Sequence, residues 1–76
     1  MQPATPPWIQ QARVELGNRI RDARMAADLT QDELAERAGV DRTTVQNAEG
    51  AKVDPKFSLL LRLAQALRLP ARDLMP

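Results

Sequence analysis

The strongest constraint on this chain is the crowding of helix start and stop signals in its middle third. Thr30-Gln31-Asp32-Glu33 has the form of a capping box, in which the threonine hydroxyl serves the amide of Glu33 and the glutamate reaches back to Thr30. Gly39 then supplies the backbone freedom that ends a helix, and only Val40 and Asp41 precede the next helical stretch, Arg42 to about Ala48. Asp41 is the expected N-cap of that stretch. Helices this short are unstable alone, so both must be held by packing against longer neighbours.

Those neighbours are legible on either side. Helix formers run from about Trp8 to Ala27, with Ile9, Leu16, Ile20, Ala23 and Ala27 recurring at spacings of three, four and seven. Gly17 weakens this helix by about 1 kcal/mol relative to alanine, so its firm part is expected to begin near Leu16. Asp28 sits where a helix often stops in the left-handed conformation. Downstream, Asp54-Pro55 reads as a capping carboxylate with proline at the first helical position. Phe57, Leu60, Leu61, Ala64 and Leu67 form an apolar stripe behind it, which Leu59, Leu63 and Ala66 widen. Pro70 ends or restarts the chain, leaving Leu74 and Met75 for a last short helical turn that covers the core. The prolines at positions 3, 6 and 7 argue against order at the start. Residues 1–10 are therefore expected to be a partly disordered arm, and 11–76 the folded domain, with the paired short helices at about 31–50.

Composition narrows the functions available to a domain of 76 residues. With no cysteine or histidine, disulfides, thiol redox chemistry and the usual zinc sets are excluded. The same absence, with Ser58 a lone serine in a helix, argues against an enzyme. Asp32, Glu33 and Glu36 could in principle bind magnesium, but capping and a dipole-favoured first turn explain them. Eleven basic against ten acidic residues give a net charge of +1, so a nucleic-acid role must be argued from placement, not total charge. One tryptophan and one phenylalanine provide no stacking platform for RNA. No apolar run is long enough to span a membrane, and no secretory signal precedes the domain, so the protein is expected in the cytoplasm.

Two short helices joined by a glycine-containing turn form the unit that lays its second helix in the major groove of DNA. Ala35, Gly39, Val40 and Val45 occupy the positions where such helices must approach and lock. The stretch Leu29-Thr30-Gln31-Asp32-Glu33-Leu34-Ala35, followed by Ala38-Gly39-Val40, resembles the lambda-repressor-like (Cro and Xre) helix-turn-helix family. Leu16 to Arg24 is similar to the family's first helix, and Glu49, Pro55, Leu60, Leu63-Ala64 and Leu67 fall at its usual downstream spacings. The resemblance implies an all-α, compact five-helix DNA-binding domain whose second and third helices form the reader. The chain departs from the family in three places. Asp28 and Ala51 stand where glycine is common, and Ala48 replaces a large aliphatic residue, leaving space that Trp8 or Phe57 is a candidate to fill.

The outward residues of the third helix, Arg42, Thr43, Gln46 and Asn47, are the candidates for base contact. Arginine pairs bidentately with guanine, asparagine or glutamine with adenine, and a threonine methyl meets thymine. A solvated helix face would explain the same side chains in the absence of the motif. Thr30, Gln31, Thr44, Lys52 and Lys56 are the phosphate candidates, together with backbone amides near Pro55 and Lys56. The Asp41 carboxylate lies near that phosphate path and would repel it. The resemblance implies a structural salt bridge between Arg24 and Glu49. It also implies a bacterial or phage-encoded, nucleoid-associated regulator acting as a homodimer on a palindromic operator in double-stranded DNA, a repressor or restriction-modification controller. Leu59, Leu74 and Met75 are the interface candidates, and Trp8 with Ile9 offers a second surface. No cofactor, metal or small-molecule ligand is expected. The alternative is a protein-binding module, for instance an antitoxin, using the leucine-rich fourth helix.

Overall fold

In the computed structural model, which describes residues 4–76, four α-helices and a closing 3-10 turn surround one core. Helix α1 spans Pro7–Ala26, α2 Gln31–Ala38, α3 Arg42–Glu49 and α4 Phe57–Leu67, and the 3-10 turn is Ala71–Asp73. Among the described residues there is no strand, and no helix is long and apolar enough to cross a membrane.

Helix α1 starts earlier than the prolines suggest. Pro6 is its N-cap and Pro7 its first residue, a position where a missing amide costs nothing and the fixed φ already suits the helix. Residues 7–10, assigned to the arm from sequence, are therefore helical; residues 1–3 of that arm lie outside the described residues. Helix α1 ends as expected, with Asp28 at φ 57° and the Leu29 amide donating to Arg24 O at 3.1 Å.

The start of α2 is the expected capping box. Thr30 Oγ1 accepts from the Glu33 amide at 3.0 Å, and the Thr30 amide donates to Glu33 Oε1 at 2.9 Å. Gly39 at φ 71° ends the helix, and the Val40 amide returns to Ala35 O at 3.0 Å. These bonds fix the angle at which α3 leaves. Asp41 occupies the N-cap of α3 but its side chain makes no capping bond, so the expected carboxylate cap is corrected to a backbone one, with the Thr44 amide donating to Asp41 O at 3.0 Å.

Two expectations about the C-terminal half are also corrected. Asp54-Pro55 does not open α4; residues 54–56 lie outside any helix, Lys56 is the N-cap and the helix begins at Phe57. The expected fifth helix is a single 3-10 turn, because prolines at 70 and 76 bracket a segment too short for α-helical propagation. Of the apolar stripe on α4, Leu60, Leu63, Ala64 and Leu67 are buried, whereas Phe57 and Leu61 face solvent.

Every element contributes to the core. Ile20 from α1, Leu34 from α2, Val45 from α3, Leu63 from α4 and Leu74 after the last turn are its largest fully buried side chains. Each removes roughly 1.5–3 kcal/mol worth of apolar surface from water. Ala48 is buried against α1 without help from Trp8 or Phe57, both of which are about two-thirds exposed. The space is closed instead by Gly17, where a Cβ would come within 2.8 Å of Ala48 O and 2.4 Å of Glu49 O. With the helices at backbone distance, alanine fills the gap.

Candidate nucleic-acid interface

The inward face of α3 carries Val45, Ala48 and Glu49, all buried, which turns Arg42, Thr43, Gln46 and Asn47 to the opposite side. Arg42, Thr43 and Gln46 are exposed and Asn47 is half-buried. The 3.6-residue period thus sorts one eight-residue helix into an anchored face and a free one.

The anchor at the far end of α3 is ionic. Arg24 Nε donates to Glu49 Oε2 at 2.8 Å and Arg24 Nη2 to Glu49 Oε1 at 3.1 Å. The expected pair is therefore present as a two-pronged contact, with side-chain exposures of 13% and 5%. Arg24 Nη1 also donates to Leu29 O at 2.8 Å, and Gln31 Nε2 donates to Glu49 Oε1 at 3.1 Å. The Glu49 carboxylate thereby ties α1 and the first residue of α2 to the end of α3, and the Arg24 guanidinium adds the loop before α2. The hydrogen bond from Arg24 to Glu49, and secondarily the attraction of its charge, raises the already high pKa of the guanidinium against the opposing effect of burial.

Two concavities flank the free face. One, at the start of α3, is lined by Arg24, Thr30, Gln31, Asp32 and Arg42, and brings two of the phosphate candidates beside a base candidate. Within it Asp32 Oδ1 lies 3.6 Å from Arg42 Nε, both side chains being mostly exposed. The other concavity runs between α3 and α4 and joins Thr44 and Asn47 to Lys56, Leu59 and Arg62. Lys52 is exposed on the loop that follows α3.

Arg62 is the residue that sequence reasoning missed. It sits one turn beyond Ser58 on α4, lines the second concavity, and its Nη1 approaches Ala38 O at 3.4 Å. A cation at helical spacing from Lys56–Ser58 was the available signal, masked by the leucines on either side.

The three residues considered for a dimer interface are not brought together. Leu74 is 1% exposed and belongs to the core, which removes it as a contact for a partner. Leu59 is half-buried in the α3–α4 concavity, while Met75 borders a separate crevice with Ile9, Leu16 and Leu60. The exposed apolar side chains of α4 are Phe57 and Leu61, one turn apart. On α1, Trp8 is exposed and Ile9 half-buried.

Comparison with known proteins agrees with this geometry. A family model described as a helix-turn-helix domain matches residues 15–75. An uncharacterized HTH-type transcriptional regulator of Methanothermobacter thermautotrophicus is 46% identical over 48 residues, which are 63% of this chain and 70% of that protein. Among solved structures, the restriction-modification controller protein C.AhdI from Aeromonas hydrophila superposes with a TM-score of 0.81 at 35% identity, covering 83% of this chain and 96% of the other. A hypothetical transcription factor from Neisseria gives a TM-score of 0.83 at 32% identity, over 100% of this chain and 87% of its own.

Proposed function

The chain belongs to the helix-turn-helix domain family, of the lambda-repressor-like (Cro and Xre) kind, and from that we propose that it is a sequence-specific regulator of transcription that binds double-stranded DNA with α3 in the major groove. The observation that carries this reading is the free face of α3, where Arg42, Thr43, Gln46 and Asn47 stand between two concavities that hold Thr30 and Gln31 on one side and Thr44 and Lys56 on the other. A helix so placed can present hydrogen-bonding side chains to base edges while flanking groups grip the two phosphate backbones. Arg62, and the exposed Lys52, add positive charge to the α4 side. The protein acts in the cytoplasm of a bacterium or on behalf of a phage, as a repressor or a restriction-modification controller.

One recognition helix spans only a few base pairs, so the functional unit is a homodimer on a palindromic operator with half-sites about one helical turn apart. Phe57 and Leu61 on α4, Met75 after the last turn and Trp8 on α1 are exposed apolar side chains that such an interface can bury.

Selection of bound duplexes from a random pool at near-physiological salt tests the proposal; an enriched palindrome supports it, and no enrichment by folded protein sinks it. Arg42→Ala and Asn47→Ala should each cost about 1–3 kcal/mol on the selected site and relax the preference at one position. Lys52→Ala and Lys56→Ala should weaken all duplexes alike and lower the salt dependence by about one phosphate contact each. A second reading, a protein-binding module, is favoured only by the exposure of Phe57 and Leu61. It predicts a protein partner whose capture survives Arg42→Ala and Asn47→Ala.

A further inference from the structure

The segment 51–56 joins the recognition helix to α4 and carries Lys52 and Lys56, yet its own main chain does little to hold its shape. The Ala51 amide donates to Ala48 O at 3.3 Å and the Lys52 amide to Asn47 O at 3.0 Å. Beyond them, among the described residues, no amide from 53 to 56 donates to a main-chain carbonyl, and Pro55 has no amide to give. Ala51 is also held at φ 58°, a conformation that alanine disfavours by roughly 1–2 kcal/mol. Something outside the segment must keep it in place.

The contacts that do so come from the first two turns of α1. Gln10 Nε2 donates to Ala51 O at 3.2 Å, and Arg13 Nε donates to Asp54 Oδ1 at 2.5 Å. Arg13 Nη1 donates in turn to Gln10 Oε1 at 3.1 Å, so the two ties form one unit. Ile9, Leu16, Pro55 and Leu60 line a common crevice beneath them. Gly17 permits this arrangement, because α1 must run at backbone distance from the end of α3 for its earlier turns to reach the segment. The family match begins at residue 15, so Gln10 and Arg13 lie on a part of α1 that precedes it.

We infer that Gln10 and Arg13, with Asp54, are positioning residues: the start of α1 straps segment 51–56 into the shape that carries Lys52 and Lys56 to the DNA backbone. This rests on the DNA-binding reading above. Its particular consequence is a reversal of sign at Asp54. By charge alone, removing a carboxylate that stands between two phosphate-binding lysines strengthens DNA binding. If Asp54 acts through Arg13 to place those lysines, removing it weakens binding.

The test uses the full chain with Asp54→Asn, Arg13→Gln and the double variant, measured on the selected duplex and, without DNA, by amide order parameters of residues 51–54 and 56. The expected result is a two- to fivefold loss of affinity for Asp54→Asn, about the range of an exposed ion pair, no further loss from it once Arg13 is glutamine, and lowered order parameters in the segment. Gln10→Ala, which changes no charge, should give the same fall in order and a similar loss of affinity. Affinity that is equal or higher in Asp54→Asn overturns the inference, as does a loosened segment with unchanged binding. Wild-type protein that selects no duplex removes the regulator reading and with it the DNA role of the ties, while a fall in order parameters would still establish that they hold the segment.

Discussion

Gly17 of α1 lies against the main-chain carbonyl of Glu49 with no space for a side chain, since a Cβ would stand 2.4 Å from that oxygen. Backbone, not a flexible side chain, blocks the position, so Gly17→Ala must push α1 away from α3 and loosen Leu16 and Ile20. Alanine would return about 1 kcal/mol of helix propensity, whereas overpacking of this kind costs about 1–3 kcal/mol. We predict net destabilisation, read as a lower midpoint in urea unfolding; a variant as stable as the wild type would show that the approach is not tight.

The ion pair behind α3 leads to a second prediction. Glu49→Ala leaves the largely buried Arg24 guanidinium with only Leu29 O, and deprives Gln31 of its acceptor. Removing one member of a buried pair costs about 3–5 kcal/mol, a large part of the stability of a domain this size. Arg24→Ala should be comparably damaging, and the double variant less so than the sum. Strict additivity in the cycle, measured by chemical unfolding, would mean that the two side chains do not act together.

At Ala51 the expected change is a gain. Its φ of 58° is one that glycine adopts freely, so Ala51→Gly relieves backbone strain while giving up one nearly buried methyl group. Stability should rise by about 0.5–1 kcal/mol. A drop in thermal midpoint would contradict this account of the turn.

Asp32 shields Arg42 in the free protein at 3.6 Å. The contact is exposed, so Asp32→Asn should leave stability within about 0.5 kcal/mol of wild type. On DNA the guanidinium no longer has a carboxylate competitor, and affinity should rise several-fold at low salt, with a smaller gain at high salt. Weaker binding by Asp32→Asn would instead make Asp32 the group that aims Arg42.

Acid should unfold the protein in part through two carboxyl groups. Hydrogen bonds from the amide and then the hydroxyl of Thr30 hold Glu33 below its ordinary value of 4.5. The hydrogen bond from Arg13, and then its charge, holds Asp54 below 3.8. Because both pKa values are lower in the folded chain, the stability they contribute is present above the ordinary values and is lost as pH falls through the folded ones. Between about pH 5 and pH 2 the unfolding midpoint of Glu33→Gln should therefore change less steeply than that of wild type. Parallel curves would exclude Glu33 as a contributor.

Much of this structure was legible in the sequence where the signal is local. The Thr30 capping box, the left-handed Gly39 and Asp28, and the short turn from Gly39 to Asp41 follow from backbone chemistry within a few residues, and each is present. The Arg24–Glu49 pair was legible only through the family resemblance, since nothing local links residues 25 apart. What local signals misjudged depends on partners distant in the chain. Gly17 looks like a helix weakener until Glu49 is seen against it, and Asp54 looks like a helix cap until Arg13 is seen to take its carboxylate. For Leu74 local signals leave two outcomes open, a cover for the core or a surface for a partner, and the 3-10 turn folds it fully into the core. The outward face of α3 is legible as a face, because helical periodicity alone determines it.

The division of α3 into an anchored and a free side also bears on how such a protein changes over time. Val45, Ala48 and Glu49 answer to the fold, while Arg42, Thr43 and Gln46 make no contact that the core depends on. Mutations at those outward positions should be close to neutral for folding, so on the proposed DNA-binding reading a lineage carrying this domain could move from one operator to another in a few single steps without passing through unfolded intermediates. On that reading, one helix keeps what it holds separate from what it would read.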